Sequence, residues 1–227
     1  MFDGFDKDNF NIICILILPL IGLIVGYIIG VHQKWTIGIR QRWTVENDGE
    51  VLVRHSLEEY CKNKDAHVLN CVTLRLEDGS TTQIDHVLVS TKGIFVIETK
   101  HYKGWIFGNP KSKLWTQVIY KNKYKFRNPL FQNYKHVKEI QRIFGFLKPQ
   151  LIHNVVVFSG ESTFKSAKID NVFSIKELIP TIEKYPDGVL SLNRVHFCVG
   201  RLEYMRLELT QKTDVEHQAY LMQKFSR

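Results

Sequence analysis

Hydrophobic and polar positions divide the chain sharply. Residues 12–31 read IICILILPLIGLIVGYIIGV, twenty residues without a charge. At about 1.5 Å of rise per residue, a helix of that length spans about 30 Å, the hydrocarbon thickness of a bilayer. The segment is therefore expected to be a transmembrane helix preceded by a short tail, residues 1–11. A cleaved signal peptide would need a basic start, a shorter apolar run and a small-residue cleavage site. Here the start carries Asp3, Asp6 and Asp8, and His32-Gln33-Lys34-Trp35 follows the run. Lys34, Arg40 and Arg42 come just after it and only Lys7 before it. The positive-inside rule then places the N-terminus outside the cell membrane and the rest of the chain in the cytoplasm. Gly22, Gly26 and Gly30 recur every four residues. They share one helical face and can support a homodimer by close helix approach.

Beyond a juxtamembrane linker over residues 32–48 the pattern changes to that of a folded domain. Asn47-Asp48-Gly49 is a turn signal, and Asp48 is expected to cap a helix over 49–62, where Val51, Leu52, Leu57 and Tyr60 recur at near-helical spacing. HVLNCVTLRL (67–76) alternates as a strand, and Glu77-Asp78-Gly79-Ser80 is a turn. QIDHVLVS (83–90) and IFVIETK (94–100) are strands joined by Thr91-Lys92-Gly93. A second hairpin is expected over 113–120 and 123–127. Asn128-Pro129 opens a helix over 129–147, and IHNVVVF (152–158) reads as a buried strand. A short strand near 171–174, a helix over 175–184 and a last helix over about 209–226 complete the pattern. The order α-β-β-β-α-β predicts an α/β fold, a mixed central sheet flanked by helices. Residues 49–160 form its main part and 161–227 an α/β extension.

Charge narrows the partner. The formal net charge is +8, yet residues 1–31 hold Lys7 against Asp3, Asp6 and Asp8, a net of −2. The remainder therefore carries +10, which suits a polyanion: nucleic acid or anionic lipid. Cys14, Cys61, Cys71 and Cys198 show no CxxC pair, so they read as reduced thiols rather than a disulfide frame or zinc site.

The candidate chemistry lies in Gln83-Ile84-Asp85-His86 and Glu98-Thr99-Lys100. A two-residue tip at Thr91-Lys92 makes Asp85 the cross-strand partner of Glu98, and a bulge at Gly93 would shift this by one. Two carboxylates held so close repel each other unless a cation sits between them, and Mg²⁺ (or Mn²⁺) is the natural occupant. Lys100 projects from the same face as Glu98. It can steer or deprotonate an attacking water, or stabilise charge on a phosphate. The plain alternative is a solvated surface ladder with an ordinary salt bridge.

QIDHVLVSTKGIFVIETKHYKGWIFG followed by NPLFQNYKH resembles the NERD (nuclease-related) domain, and Asp85…Glu98-Thr99-Lys100 resembles the PD-(D/E)xK nuclease core. The resemblance implies a restriction-endonuclease-like fold and a metal site at Asp85 and Glu98. It implies Lys100 as catalytic lysine, with Glu50 at a helix start and Gln132 on the following helix completing the site. Gln83 and His86 would support the metal-binding segment, His86 pointing to the opposite face. Asn128, Pro129, Gln132, Asn133 and His136 match the signature of that helix; Gln132 and His136, four residues apart, face one way. Lys103, Lys111, Lys113, Lys121 and Lys123 with His136 are candidates for contact with nucleic acid. Tyr102, Trp105, Phe107, Trp115, Tyr120, Tyr124 and Phe126 are interleaved with these lysines, and most are expected in the core.

Three functions are consistent with these residues. The first is Mg²⁺-dependent hydrolysis of DNA or RNA, and the second is non-catalytic tethering of nucleic acid to the membrane. The third is a lipid- or protein-docking surface. No motif reads base edges.

Overall fold

The computed structural model describes residues 47–208, together with 213, 215–219 and 222. The predicted anchor at 12–31, its glycine face, the linker up to residue 46 and much of the last predicted helix lie outside the described residues. Among the described residues no helix is long and apolar enough to cross a membrane. Glu46–Arg227 forms one compact unit.

The first helix, α1 (Asp48–Cys61), is capped by Asn47 rather than Asp48. The Asn47 side chain accepts from the Glu50 backbone N–H at 3.1 Å, and its amide donates to the Glu50 carboxylate. Its buried face is Gly49, Val53, Leu57 and Tyr60, whereas Leu52 is exposed. The chain continues through β1 (Ala66–Arg75), β2 (Thr81–Ser90), β3 (Gly93–Lys100), β4 (Gly104–Phe107), β5 (Leu114–Ile119) and β6 (Asn122–Arg127). Then come α2 (Pro129–Ile143), β7 (Ile152–Phe158), β8 (Ser162–Phe164), β9 (Val172–Ser174), α3 (Ile175–Glu183) and α4 (Leu192–Met205). α2 stops four residues short of the predicted end because Phe144 leaves helical geometry and turns into the core beside Ile140 and Leu147.

The central sheet is mixed, in the order β1-β2-β3-β7-β9, with β1, β2 and β3 antiparallel and β3, β7 and β9 parallel. β3 lies at its centre and is buried on both faces, which is why its sequence is a nearly continuous apolar run. On one face Val87, Val89, Ile94 and Val96 pack with Val137 and Ile140 of α2 and Val195 and Leu202 of α4. On the other, Leu88, Phe95 and Ile97 pack with Val53 and Leu57 of α1 and Leu178 of α3. A second sheet, β6-β5-β4-β8, lays Ile106 and Trp115 over Val156 and Phe158 of β7.

The alternation of β1 and β2 reverses halfway along. Their register runs unbroken from Ala66↔Ser90 to Asn70↔His86 and resumes at Val72↔Ile84. Leu69, Val87 and Val89 lie in the α2–α4 core, and so do Val72 and Ile84, which strict alternation would send to the other face. The reversal falls on Cys71 and Asp85, and Cys71 takes a φ of +50° to make it.

Candidate active site

The β2–β3 hairpin turns at Thr91-Lys92, pairing Ser90 with Gly93 and continuing to His86↔Ile97. Asp85 and Glu98, the expected partners, are the next positions along the two strands, beyond the last pair. The backbone ladder ends there. The Thr99 N–H donates instead to Asp85 Oδ2 at 2.7 Å, so a carboxylate replaces the strand partner. Glu98 is 1% exposed and Asp85 half-buried. Lys100 Nζ donates to Glu98 Oε1 and reaches Gln132 Oε1 at 3.3 Å. Buried His136 turns Nδ1 toward Glu98 Oε2 at 3.6 Å, too long for a hydrogen bond. Both of those atoms are buried with no hydrogen-bond partner among the described residues.

Electrostatics follow from two carboxylates sharing one ammonium. Burial, then the Glu98 charge, pushes Asp85 up to about 8, against the Thr99 N–H and Lys100. Glu98 is also raised, because burial outweighs the adjacent lysine. Burial opposes the charge of Lys100, yet the Glu98 and Asp85 carboxylates outweigh it and hold the ammonium protonated. Burial, followed by the Lys100 charge, pushes His136 down to about 4, so its imidazole is neutral at pH 7.

The NPLFQNYKH helix explains itself residue by residue. Asn128 caps α2 through the Leu130 N–H, and its amide donates to the Pro110 and Ser112 carbonyls, closing the β4–β5 loop onto the helix. Pro129 occupies the first turn, where its missing N–H costs nothing. Gln132 and His136 face Lys100 and Glu98. Fully buried Asn133 donates to the Val96 and Val155 carbonyls and to Asn154 Oδ1, pinning α2 across β3 and β7. That pinning role could not be read from the sequence, although an asparagine on the buried face of a helix was its signal.

Other predicted residues fall further from the carboxylate pair. Glu50 opens α1, and its charge is felt at Glu98, where it raises the carboxyl. Gly49 beside it is enclosed: an added Cβ would lie 2.4 Å from Ser159 Oγ and 2.5 Å from His101 Cβ. His86 is fully buried on the α1 face, with Nδ1 2.8 Å from Asn70 Oδ1, and burial pushes it down to about 4. It braces β1 to β2, as its opposite-face position implied. Gln83 pairs with Thr73 across the same two strands. Lys103, Lys111, Lys113, Lys121 and Lys123 are all exposed. Placing most of the interleaved aromatics in the core was wrong. Trp115 is buried and Tyr102 and Phe126 are half-buried, but Trp105, Phe107, Tyr120 and Tyr124 are exposed. The second sheet has one covered face, and these residues exceed what it can cover.

Among the described residues no three His, Cys, Asp or Glu side chains form a group able to hold a metal ion. Two converging carboxylates with an unpartnered buried oxygen on Glu98 nevertheless fit a hard divalent cation that keeps most of its waters, as Mg²⁺ does.

The family model described as nuclease-related domain, NERD, matches residues 45–159. An uncharacterized protein of Bacillus anthracis is 34% identical over 186 residues, covering 79% of this chain and 84% of that protein.

Proposed function

Because the chain belongs to the nuclease-related (NERD) domain family, we propose that it is a membrane-anchored, metal-dependent phosphodiesterase acting on DNA or RNA. The observation that carries this reading is the set formed by half-buried Asp85 accepting from the Thr99 N–H and buried Glu98 accepting from Lys100, with Lys100 also reaching Gln132. Asp85 and Glu98 would hold Mg²⁺ or Mn²⁺, which supplies a Lewis acid for a phosphoryl oxygen and acidifies water when bound. Lys100 keeps its proton on Nζ and offers it to charge developing on the phosphate. Gln132 fixes the direction of that ammonium, and neutral His136 packs beside Glu98. Glu50 adds negative charge from the start of α1. The exposed lysines 103, 111, 113, 121 and 123 draw in the polyanion. Residues 12–31 hold the domain at the cytoplasmic face of the cell membrane, and Gly22, Gly26 and Gly30 offer a homodimer contact.

A second reading, a nucleic-acid tether without turnover, is favoured by one feature. Lys100 already occupies an oxygen of Glu98, and among the described residues no third His, Cys, Asp or Glu completes a metal-holding group. Incubating the full-length protein and its Glu98→Ala variant with plasmid, single-stranded DNA and RNA, under Mg²⁺, Mn²⁺ or EDTA, separates the two. Hydrolysis predicts cleavage that needs metal and falls by about a thousandfold or more in the variant. Intact substrates under every metal, with salt-sensitive binding indifferent to Glu98→Ala, would leave the tether.

A further inference from the structure

Residues 99–138 contain ten lysines and arginines and no aspartate or glutamate. Most of this stretch builds the second sheet and the start of α2, so the charge is concentrated in one region of the fold. The sheet's two faces differ. Ile106, Trp115 and half-buried Phe126 and Phe164 point into the core. On the opposite face the register aligns Thr163, Trp105, Val118 and Lys123 in one transverse row. Phe107, Thr116 and Lys125 form the next row, and Leu114 and Arg127 a third. Directly paired residues point the same way, so these side chains share the outer face. Trp105 is 51% and Phe107 42% exposed. Lys165 Nζ lies 4.8 Å from the centre of the Trp105 ring, and Lys125 donates to Thr116 Oγ1.

Exposed aromatic rings are costly on a soluble surface unless something covers them. Here cations lie beside the rings and the three outer rows hold no aspartate or glutamate, so the complementary ligand is anionic and has flat apolar faces. We propose that the outer face of the four-stranded sheet is a stacking platform for single-stranded nucleic acid, with Trp105 and Phe107 taking successive bases and Lys123, Lys125, Arg127 and Lys165 the phosphates. The spacing selects the single strand. Two positions along a strand are separated by about 6.8 Å, roughly twice the 3.4 Å per nucleotide of a duplex strand. Adjacent bases reach both rings only when unstacked from each other. A duplex also hides the base faces that the rings would contact.

The platform deepens the nucleic-acid reading of the Asp85–Glu98 site and rests on it. Trp105 is five residue steps from Lys100, no more than about 18 Å of chain. A strand lying on the sheet is thus within a few nucleotides of the carboxylates. The platform would deliver unpaired substrate to the site.

The test is binding of the full-length protein, in EDTA, to labelled single-stranded DNA, single-stranded RNA and a duplex of the same sequence. Single strands bind at least about tenfold tighter than duplex at equal salt, and the DNA and RNA arms say which sugar is preferred. The double variant Trp105→Ala/Phe107→Ala loses about tenfold or more of that affinity, whereas Trp105→Phe/Phe107→Trp keeps it, which separates stacking from damage to the fold. Lys123→Gln/Lys125→Gln lowers the slope of log K against log salt by about 1.4. Single-strand affinity unchanged by the alanine pair, or equal affinity for duplex, would each overturn the platform. Metal-dependent cleavage lost in Glu98→Ala while the alanine pair binds normally would sink the platform and spare the hydrolase. Ring-dependent binding with no cleavage by the unaltered protein would do the reverse.

Discussion

Cys71 and Asp85 are the two positions the β1–β2 ladder skips, between the pairs Asn70↔His86 and Val72↔Ile84, and the φ of Cys71 is +50°. A non-glycine residue in that region is strained by about 1–3 kcal/mol, and such strain gathers at functional positions. The consequence is the reversal of both strands' alternation at the point where Asp85 must aim. Cys71→Gly is therefore expected to leave urea stability within about 1 kcal/mol of the parent. Cys71→Val, β-branched and intolerant of positive φ, should lose about 2 kcal/mol and impair the Asp85 site. A valine variant as stable as the parent would show that the kink is not required.

The carboxylate pair predicts an unusual stability profile for the metal-free protein. Asp85 is raised to about 8 in the fold by burial and Glu98, against about 3.9 in the unfolded chain. Between pH 6.5 and 8 the folded state keeps a proton that the unfolded state has released. Stability then falls as pH rises, by up to about 1.4 kcal/mol per pH unit. Below 6.5 the sign reverses: His86, His136 and His153 are each lowered to about 4, chiefly by burial. The unfolded chain takes up protons that they refuse, and stability falls toward pH 4. Urea midpoints in EDTA should therefore peak near pH 6.5. Asp85→Asn keeps an acceptor for the Thr99 N–H and should remove the alkaline decline while abolishing cleavage. A midpoint independent of pH from 6.5 to 8 in the parent would refute the raised Asp85 carboxyl.

Gly49 sets how closely α1 approaches the end of β3. An added methyl would meet Ser159 Oγ at 2.4 Å and His101 Cβ at 2.5 Å, so the helix start must move. Gly49→Ala is expected to cost about 2 kcal/mol in urea denaturation despite alanine's better helix propensity. An unchanged or raised midpoint would mean that α1 docks loosely there.

Asn133 is the fastener between α2 and the sheet, with three acceptors for one amide. Asn133→Leu keeps the volume but removes the donor, and should cost about 2–4 kcal/mol. It should also shift Gln132 and His136 away from Lys100 and Glu98, lowering cleavage in proportion at temperatures where the variant is folded. Loss of stability below 1 kcal/mol would reassign the residue as ordinary packing.

How much of this was legible beforehand depended on whether local pattern or tertiary fit decided the outcome. The β2–β3 register up to His86↔Ile97, one step short of Asp85 and Glu98, followed from counting out from Thr91-Lys92, because turn length dictates register. Gln132 and His136 facing the site followed from their i, i+4 spacing on a capped helix. The reversal at Cys71 left no trace in the sequence, since Val72, Ile84 and Leu74 are apolar whichever face they take. β4 and β8 were missed because four- and three-residue strands carry too little periodicity. α4 was missed although Val195, Cys198 and Leu202 mark its buried stripe, because its intervening residues are a mixture of basic, aromatic and glycine positions. The exposed Trp105 and Phe107 ran against the usual expectation for aromatics, and only the cross-strand register reveals which face they occupy.

Gln132 offers the most direct separation of chemistry from packing. Its Oε1 is 3.3 Å from Lys100 Nζ, and the residue is only half-buried, so little of the fold depends on it. Lys100 retains Glu98 as partner when Gln132 is replaced. Gln132→Met keeps length and helix propensity and removes the acceptor. The lysine then keeps its proton but loses one of the two contacts that fix its direction. Stability should stay within about 1 kcal/mol of the parent. Substrate affinity in EDTA should be unchanged, because the platform and the exposed lysines are intact. The rate of metal-dependent cleavage should fall by about ten- to a hundredfold, the scale of a misaligned catalytic group. A variant that cleaves at the parental rate would confine Gln132 to the surface of α2 and leave Lys100 positioned by Glu98 alone.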